Sequence, residues 1–435
     1  MNITPFDLLA ALNLEGLSTW FQPITNLRTG TVVGCEALVR GVNSDGTIVA
    51  PSHLFAAAAA ADMSLALERA AREDAISSFA AALPSESLLL FLNFSAAVLD
   101  SEELMPGNIH KSCRHHALDP RRVALEIVES GVRDLHALKR FAERNRAYGF
   151  LVTLDDFGTQ HSNLERVALV RPDIIKIDQS IVRAAGEDMY KRSVMRSISY
   201  LARTVGSLCL AEGVESYDDI RIAAEEGADL IQGYHLAKPH PDLLQVVEAA
   251  QQTGSEAVSL LRSDLSAKVL SEEGRQRRID ERVAEYVPRL RSGTRETWDI
   301  DLRELVEAVP EAECAYLVGI DGIQLSSTIL DQALENAVES ELSGALRARA
   351  HPLFRPAVPG DSHALKNYVY ALLTLGHSRY VTDYYVSLAG GHLCRTLAVR
   401  VAGAKPSTGA AGEPASAGAL LDFILCVDLV EVPRS

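Results

Sequence analysis

No paired cysteine spacing, no excess of basic charge and no long apolar run occurs in this chain of 435 residues. Each absence removes something. The six cysteines, at 35, 113, 209, 314, 394 and 426, include no CxxC pair, so they read as reduced thiols in a reducing compartment. Acidic residues outnumber basic ones by 58 to 42, a formal net charge of −16. That argues against a nucleic-acid polymer as partner, because sequence-independent binding needs a basic surface to displace counterions. A small anionic substrate stays open, since metal ions and a few local Arg or Lys side chains reverse the field inside a site. No stretch is long and apolar enough to span a bilayer; the Ala-rich stretch 54–61 soon meets Asp62 and Glu68 and reads as a packed helix. The first residues lack the basic start and apolar run of a secretory signal. The expectation is a cytoplasmic protein with no membrane insertion.

What is present is a repeated pattern. Apolar content is 47%, enough to bury a sizeable core in two or three domains. Short apolar runs end one after another in polar residues: Glu36, Asn93, Glu126, Asp155 with Asp156, Lys176, Glu212 and Gln232. Strands that end in this way, with helical segments between them, predict a TIM-like (β/α)8 barrel whose chemistry sits on one rim. Residues 20–24 and 32–40 flank the turn Asn26-Leu27-Arg28-Thr29-Gly30, so the first two strands are expected to be antiparallel, an irregularity in a parallel barrel. The further strands are expected at 88–94, 123–128, 150–155, 174–177, 208–211 and 230–234, and residues 1–17 read as a leading helix. An open doubly wound sheet is the rival, but it gathers function at one switch point rather than at nearly every strand end. So many oxygen ligands on one rim call for divalent metal, because bare like charges at contact distance do not all stay ionised.

Residues 255–293 are polar and rich in Glu and Arg, and read as one or two linking helices that end near Pro288 and Gly293. The remainder, 294–435, changes texture. A helix at 302–309 is followed by a strand at 314–320, the two-residue turn Asp321-Gly322 and a second strand at 323–326. More strands are expected at 380–388, 394–401 and 420–429. The Gly-, Ala-, Pro- and Ser-rich run 404–418 reads as a disordered hairpin insertion. The fold class is therefore α/β: a barrel over 1–254, a helical linker over 255–293, and a smaller α+β domain over 294–435.

The phrase Phe21-Gln22-Pro23-Ile24 with Glu36-Ala37-Leu38-Val39-Arg40 resembles the EAL-domain phosphodiesterases that hydrolyse cyclic di-GMP. Leu92-Asn93-Phe94-Ser95, Glu126-Ile127-Val128-Glu129, Asp155-Asp156-Phe157-Gly158, Ile175-Lys176-Ile177-Asp178, Ala211-Glu212-Gly213-Val214-Glu215 and Gln232-Gly233-Tyr234 follow in the family's order. A lone Glu-Ala-Leu is nearly worthless; the ordered set, over about 17–247, is specific. The implied reaction opens cyclic di-GMP to linear 5′-pGpG with two Mg²⁺ or Mn²⁺ ions, hard cations that prefer oxygen ligands. Glu36, Asn93, Glu126 and Asp155 have the chemistry to hold one ion. The resemblance makes Asp155 a bridge, with Asp156 and Glu212 completing the second site. Lys176 either deprotonates the attacking water or, protonated, stabilises phosphoryl charge. Gln232 is a water or ligand orienter, Arg40 a phosphate partner, and Gln22 and Leu38 substrate-wall residues. The resemblance makes Glu129 an anchor for the loop after Asp156 rather than a ligand. A homodimer is implied by the resemblance alone.

Blander readings apply elsewhere. Glu215, Asp178 and Asp173 are expected to be structural, and His115 and His116 to face solvent. The loop Thr159-Gln160-His161-Ser162 departs from the family, with Gln160 in place of a glycine and His161 in place of an aromatic residue. A weakly active or inactive cyclic di-GMP receptor is therefore the alternative to an enzyme. Another metal-using barrel enzyme of the enolase kind is the third reading, and lacks room for a capping domain before Trp20. The last 142 or so residues resemble PAS- or Cache-like sensory modules, expected to take an unknown small ligand or protein, or to serve dimerisation.

Overall fold

A computed structural model describes residues 16–43, 45–82, 87–95, 108–128, 134–158, 164–332, 355–389, 393–402 and 422–430. The chain divides into two compact units, Met1–Ser266 and Ala267–Ser435. The expected leading helix, Glu129, the loop with Gln160 and His161, and the insertion 404–418 lie outside the described residues.

The first unit is built on nine strands: β1 (Leu17–Asn26), β2 (Val32–Val42), β3 (Ile48–Val49), β4 (Leu89–Phe94), β5 (Val123–Val128), β6 (Leu151–Phe157), β7 (Ile174–Ile177), β8 (Leu208–Glu212) and β9 (Leu230–Gln232). Their order is β1-β9-β8-β7-β6-β5-β4-β2-β3, and β1 also pairs with β2, so eight strands close on themselves and β3 is an extra edge. From β2 through β4 to β9 every barrel neighbour is parallel, whereas β1 runs antiparallel to both β2 and β9. The reversal is local in origin. The Asn26 side chain accepts from the backbone N–H groups of Arg28 and Thr29, at 2.8 and 3.2 Å, and turns the chain straight back on itself.

Helices α1 (Pro51–Ala60), α2 (Ser64–Ala81), α3 (Asn108–His115), α4 (Leu135–Ala147), α5 (Leu164–Val170), α6 (Gln179–Val182), α7 (Met189–Val205) and α8 (Tyr217–Glu225) fall between the strands. Their starts are written in side chains. Asp134, Asp178 and Asp188 each accept from backbone N–H groups of the first turn, and Ser216 with Asp219 forms a capping box. Asp178 is thus a helix cap, and Asp173 accepts from Val152 N at 2.8 Å to tie β6 to the start of β7. Outside the strands, Phe79 on α2 packs on Phe21 of β1 with ring centroids 6.3 Å apart, and Phe141 on α4 on Phe94 of β4 at 5.3 Å. Inside the barrel, Ile24, Phe91, Ala124, Ile174, Leu210 and Leu230 form a separate apolar layer. Fully burying one such large side chain contributes roughly 1.5–3 kcal/mol.

A single helix, α9 (Leu243–Ser292), covers the region read as one or two linking helices. Pro288 lies inside it, four residues before its end, at the cost of the one hydrogen bond that the missing N–H would have made. The second unit continues with α10 (Arg295–Ala308), then β10 (Ala312–Gly319), β11 (Ile329–Leu330), α11 (Asn367–Leu373), β12 (Arg379–Val381), β13 (Tyr385–Val386), β14 (Leu393–Val401) and β15 (Phe423–Val430). The six strands form an antiparallel sheet in the order β11-β10-β15-β14-β12, with β13 beside β14. One face packs on Ile279, Val283 and Leu290 of α9 and on Leu302 and Leu305 of α10; the other packs on Tyr368, Val369 and Leu372 of α11.

Two expected strands are corrected. Residues 323–326 make only isolated bridges: Gly319 N donates to Ile323 O and Leu325 N to Leu317 O, but Leu317 N turns to the Ser326 side chain instead of a backbone carbonyl, so no ladder extends. The stretch 380–388 is broken into β12 and β13, both paired to β14, with Thr382–Tyr384 between them.

Candidate functional site

Side chains on a strand alternate faces, so a residue two positions on lies on the same side. That step builds the site. Moving two residues from the barrel's inner apolar layer, Phe91 leads to Asn93, Ala124 to Glu126, Ile174 to Lys176, Leu210 to Glu212, Leu230 to Gln232 and, on the reversed strand, Ile24 to Gln22. Glu36 stands opposite Gln22 in the β1–β2 register. One polar layer therefore caps one apolar layer at a single rim.

The ammonium of Lys176 sits at its centre, 2.5 Å from Glu212 Oε1, 2.8 Å from Glu126 Oε1, 3.2 Å from Asp155 Oδ1 and 3.7 Å from Glu36 Oε2. Glu36 accepts from Asn93 Nδ2 and Gln232 Nε2, both at 2.7 Å, and Gln232 Nε2 also lies 3.3 Å from Gln22 Oε1. Glu126 is fully buried, and among the described residues Lys176 is the cation that meets its carboxylate. Asp155, Asp156 and Glu212 each present a carboxylate oxygen within 4.8 Å of the others.

Neighbours Asp155 and Asp156 would face opposite ways on a regular strand. They converge because the β6–β7 register jumps from Leu154–Ile175 to Phe157–Ile177, and because Asp156 has a left-handed backbone, φ +56°. Asp156 N donates to Asp155 Oδ1 at 3.0 Å across the bulge. On the next rim loop, a Cβ at Gly233 would fall 2.1 Å from Val214 O and 2.3 Å from Val214 N, so only glycine lets these backbones meet behind Gln232.

Burial and crowding set the charges. Burial pushes Glu126 well above the usual carboxylate range, with the Glu36 and Asp155 charges adding to it. Glu212 is pushed to about 8, by burial first and then by Asp155 and Glu36 against the opposing pull of Lys176. Asp156 rises to about 6 through burial, Asp155 and Asp178. Burial acts the same way on Glu36, but Lys176 and the donors on Asn93 and Gln232 outweigh it and hold the acid low. Burial alone would lower Lys176; Asp155, Glu126, Glu212 and Glu36 raise it well above the usual lysine value. The donor set is thus oxygen-rich, crowded and short of positive charge, and it fits hard divalent cations.

A cavity of about 220 Å³ opens on this rim, reaching Gln22, Glu36, Asp155, Lys176, Glu212 and Gln232. Its wall also includes Gln179, Arg183 and Tyr234, to which the sequence assigned no role. Arg183 pairs with Glu215 at 2.5 Å, which fixes Glu215 as a structural partner. The one pointer to this wall was the Asp178 cap, which starts α6 and sets Gln179 and Arg183 one turn apart. Leu38 faces a different space, a cavity of about 340 Å³ shared with Thr19, Phe55, Arg72, Asn93 and Ser95. At its base Ser95 Oγ donates to Glu68 at 2.5 Å, and Arg72 reaches Glu68 at 3.2 Å and lies 4.3 Å from the Phe94 ring centroid. Arg40 is half-buried, 5.4 Å over Trp20, with Nη1 donating to Val39 O at 2.9 Å. His115 is exposed, but His116 is half-buried against Glu73 at 2.8 Å.

A family model of the EAL domain matches residues 7–239. The EAL-domain containing protein YkuI of Bacillus subtilis (strain 168), itself uncharacterised, is 26% identical over 335 residues, 76% of this chain and 81% of its own. The probable cyclic di-GMP phosphodiesterase PdeB of Escherichia coli (strain K12) is 30% identical over 244 residues, 55% of this chain and 46% of its own, so the chain spans about half of that relative's length. Among solved structures, YkuI in complex with substrate c-di-GMP and calcium matches with a TM-score of 0.74 at 22% identity over 99% of both chains, a likeness of fold. The PaMucR phosphodiesterase in its c-di-GMP complex matches with a TM-score of 0.51 at 25% identity, over 55% of this chain and 98% of its own.

Proposed function

The chain belongs to the EAL domain family, and from that premise we propose that its barrel hydrolyses cyclic di-GMP to linear 5′-pGpG with two Mg²⁺ or Mn²⁺ ions. The observation that carries the reading is the convergence of Lys176 with Glu36, Glu126, Asp155 and Glu212 at one rim, beside the three-carboxylate group of Asp155, Asp156 and Glu212. PdeB is named a probable cyclic di-GMP phosphodiesterase, and both solved relatives hold c-di-GMP, which supports the same substrate.

On this reading Glu36, Asn93, Glu126 and Asp155 hold one ion, and Asp155, Asp156 and Glu212 the other. The bound ions supply charge neutralisation on the phosphoryl oxygens and a more acidic water. Lys176, ringed by acids that raise it above the usual lysine value, is placed either to stabilise phosphoryl charge while protonated or to orient and deprotonate the attacking water. Gln232 orients Glu36 through its amide and, with Gln22, walls the substrate. Arg40 grips phosphate, since a guanidinium fork matches phosphate oxygens. Leu38 walls the substrate from the neighbouring cavity, and Glu129 anchors the loop after Asp156. Residues 1–254 then form the phosphodiesterase barrel, 255–293 a helical linker, and 294–435 a PAS- or Cache-like domain that modulates it. The active species is a cytoplasmic homodimer.

The test is incubation of the pure full chain with cyclic di-GMP and Mg²⁺ or Mn²⁺, read by chromatography. Linear product is expected with at least one metal and is abolished in Glu36→Ala. Tight nucleotide binding by calorimetry with no product under either metal would instead make the protein a receptor, the one alternative kept from the sequence.

A further inference from the structure

The cavity on the barrel rim has a cation that the proposed chemistry leaves unused. Arg183 lies beyond Asp178, outside the ordered motifs, yet it lines the cavity beside Glu212, Gly213 and Tyr234. Its place is set locally. Asp178 caps α6, and Arg183 closes that helix with its N–H on Gln179 O at 3.0 Å. Gly213, at φ +69°, lets the loop after β8 come up against it: an added Cβ would fall 2.5 Å from Gln179 Cβ and 3.4 Å from Arg183 Nε. The ring order puts β7 four places from β2 in either direction. Arg183, just after β7, and Arg40, on β2, therefore start from opposite sides of the mouth.

The guanidinium is oriented but not saturated. Nη2 pairs with Glu215 Oε1 at 2.5 Å, and Nε donates to Gly213 O at 3.4 Å. Nη1 makes no hydrogen bond among the described residues, so donors remain from the five that a guanidinium carries. The two side chains are 45% and 46% exposed, and an ion pair that open adds little to stability. Lys176 differs: it is buried among four acids. Arg183 meets one acid, at the open edge of the same cavity.

What this fork meets follows by elimination, and the step rests on cyclic di-GMP being the barrel's substrate. That molecule has two phosphates and two guanines. The ions beside Lys176 take one phosphate and Arg40 the other, so a base is what remains for Arg183. Guanine presents O6 and N7 as adjacent acceptors on one edge, and a guanidinium meets both at once. Adenine places an amino donor where O6 stands, and would face Arg183 donor to donor. Tyr234, 53% exposed on the same wall, offers a ring face on which a base can stack. We propose that Arg183 reads the O6/N7 edge of one guanine and thereby selects guanine over adenine, with Glu215 orienting its fork.

The experiment is calorimetric titration of the full-length chain in calcium, the ion present with c-di-GMP in the YkuI structure. The ligands are cyclic di-GMP and its analogue with 7-deazaguanine for both bases, which keeps the phosphates and O6 but replaces N7 by C–H. The parent binds the analogue about tenfold or more weakly, the loss of one charge-assisted hydrogen bond. Arg183→Met weakens cyclic di-GMP and narrows the gap to the analogue by about fivefold or more. A structural role alone would weaken both ligands equally and leave the gap intact. No gap in the parent, a measurement that needs no variant to fold, or an undiminished gap in Arg183→Met overturns the inference and leaves the substrate standing. No binding of cyclic di-GMP by the parent overturns the substrate itself, and the inference with it.

Discussion

Lys176 is 1% exposed, and the four acids around it favour its charged form against the burial that opposes it. An uncompensated acid here is costly, so the lysine and a pair of metal ions act on the same excess of negative charge. Replacing it with methionine is expected to lower kcat by about 10²–10³-fold, read by steady-state turnover, while the affinity for divalent metal measured by titration does not fall. Gly233→Ala addresses the rim from behind. Its Cβ would collide with the backbone at Val214, and forced overpacking of this kind costs on the order of 1–3 kcal/mol. A lowered melting temperature is expected, with a loss of turnover as Gln232 moves.

At the scale of elements, the most consequential piece is the bulge in β6. It aims two successive carboxylates at one point by holding Asp156 at φ +56°. Such a backbone costs a side chain roughly 1–2 kcal/mol that glycine does not bear. Asp156→Gly, assayed without divalent metal, is therefore expected to melt no lower than the parent while losing metal-dependent turnover. Asp156→Val, with the same lost carboxylate and a β-branched side chain, melts lower. Much of this was legible beforehand. Each strand ends in its polar residue because parallel strands in a barrel place their carboxyl ends at one rim, and period two then carries Phe91 to Asn93 and Ala124 to Glu126. The bulge was not legible, since Asp155-Asp156 reads equally as a solvated loop start. Gln179 and Arg183 were missed because α6 is only four residues long and shows no periodicity. The strand expected at 323–326 failed for a tertiary reason: Gln324 Nε2 donates to Ser326 O, Thr328 Oγ1 and Ala357 O, and side-chain bonds replace a ladder.

Over the whole molecule, the two units place their buried acids differently. The barrel surrounds its acids with Lys176, whereas the second unit buries Asp428 with hydroxyl and thiol donors and Glu313 nearby. Burial, and then Glu313, raise Asp428 from the ordinary 3.8 to about 6 against the hydroxyls. Folding thus binds its proton more tightly than the unfolded chain does. The associated stability is complete below about pH 4 and is lost as pH rises through about 6. The difference in melting temperature between Asp428→Asn and the parent is expected to shift in favour of the asparagine variant from pH 4 to pH 7. Trp298, buried against Phe423 with ring centroids 5.8 Å apart, reports it once Trp20→Phe silences the only other tryptophan.

The reversed first strand has a consequence for synthesis. On one side β1 finds β2 within a few residues, so a hairpin can form as soon as both leave the ribosome. On its other side Ile24, Thr25 and Asn26 pair with Gln232, Ile231 and Leu230. The nascent barrel therefore stays an open sheet with a bare edge until that last staple emerges, and a stalled or truncated chain is left at the stage where strand edges aggregate.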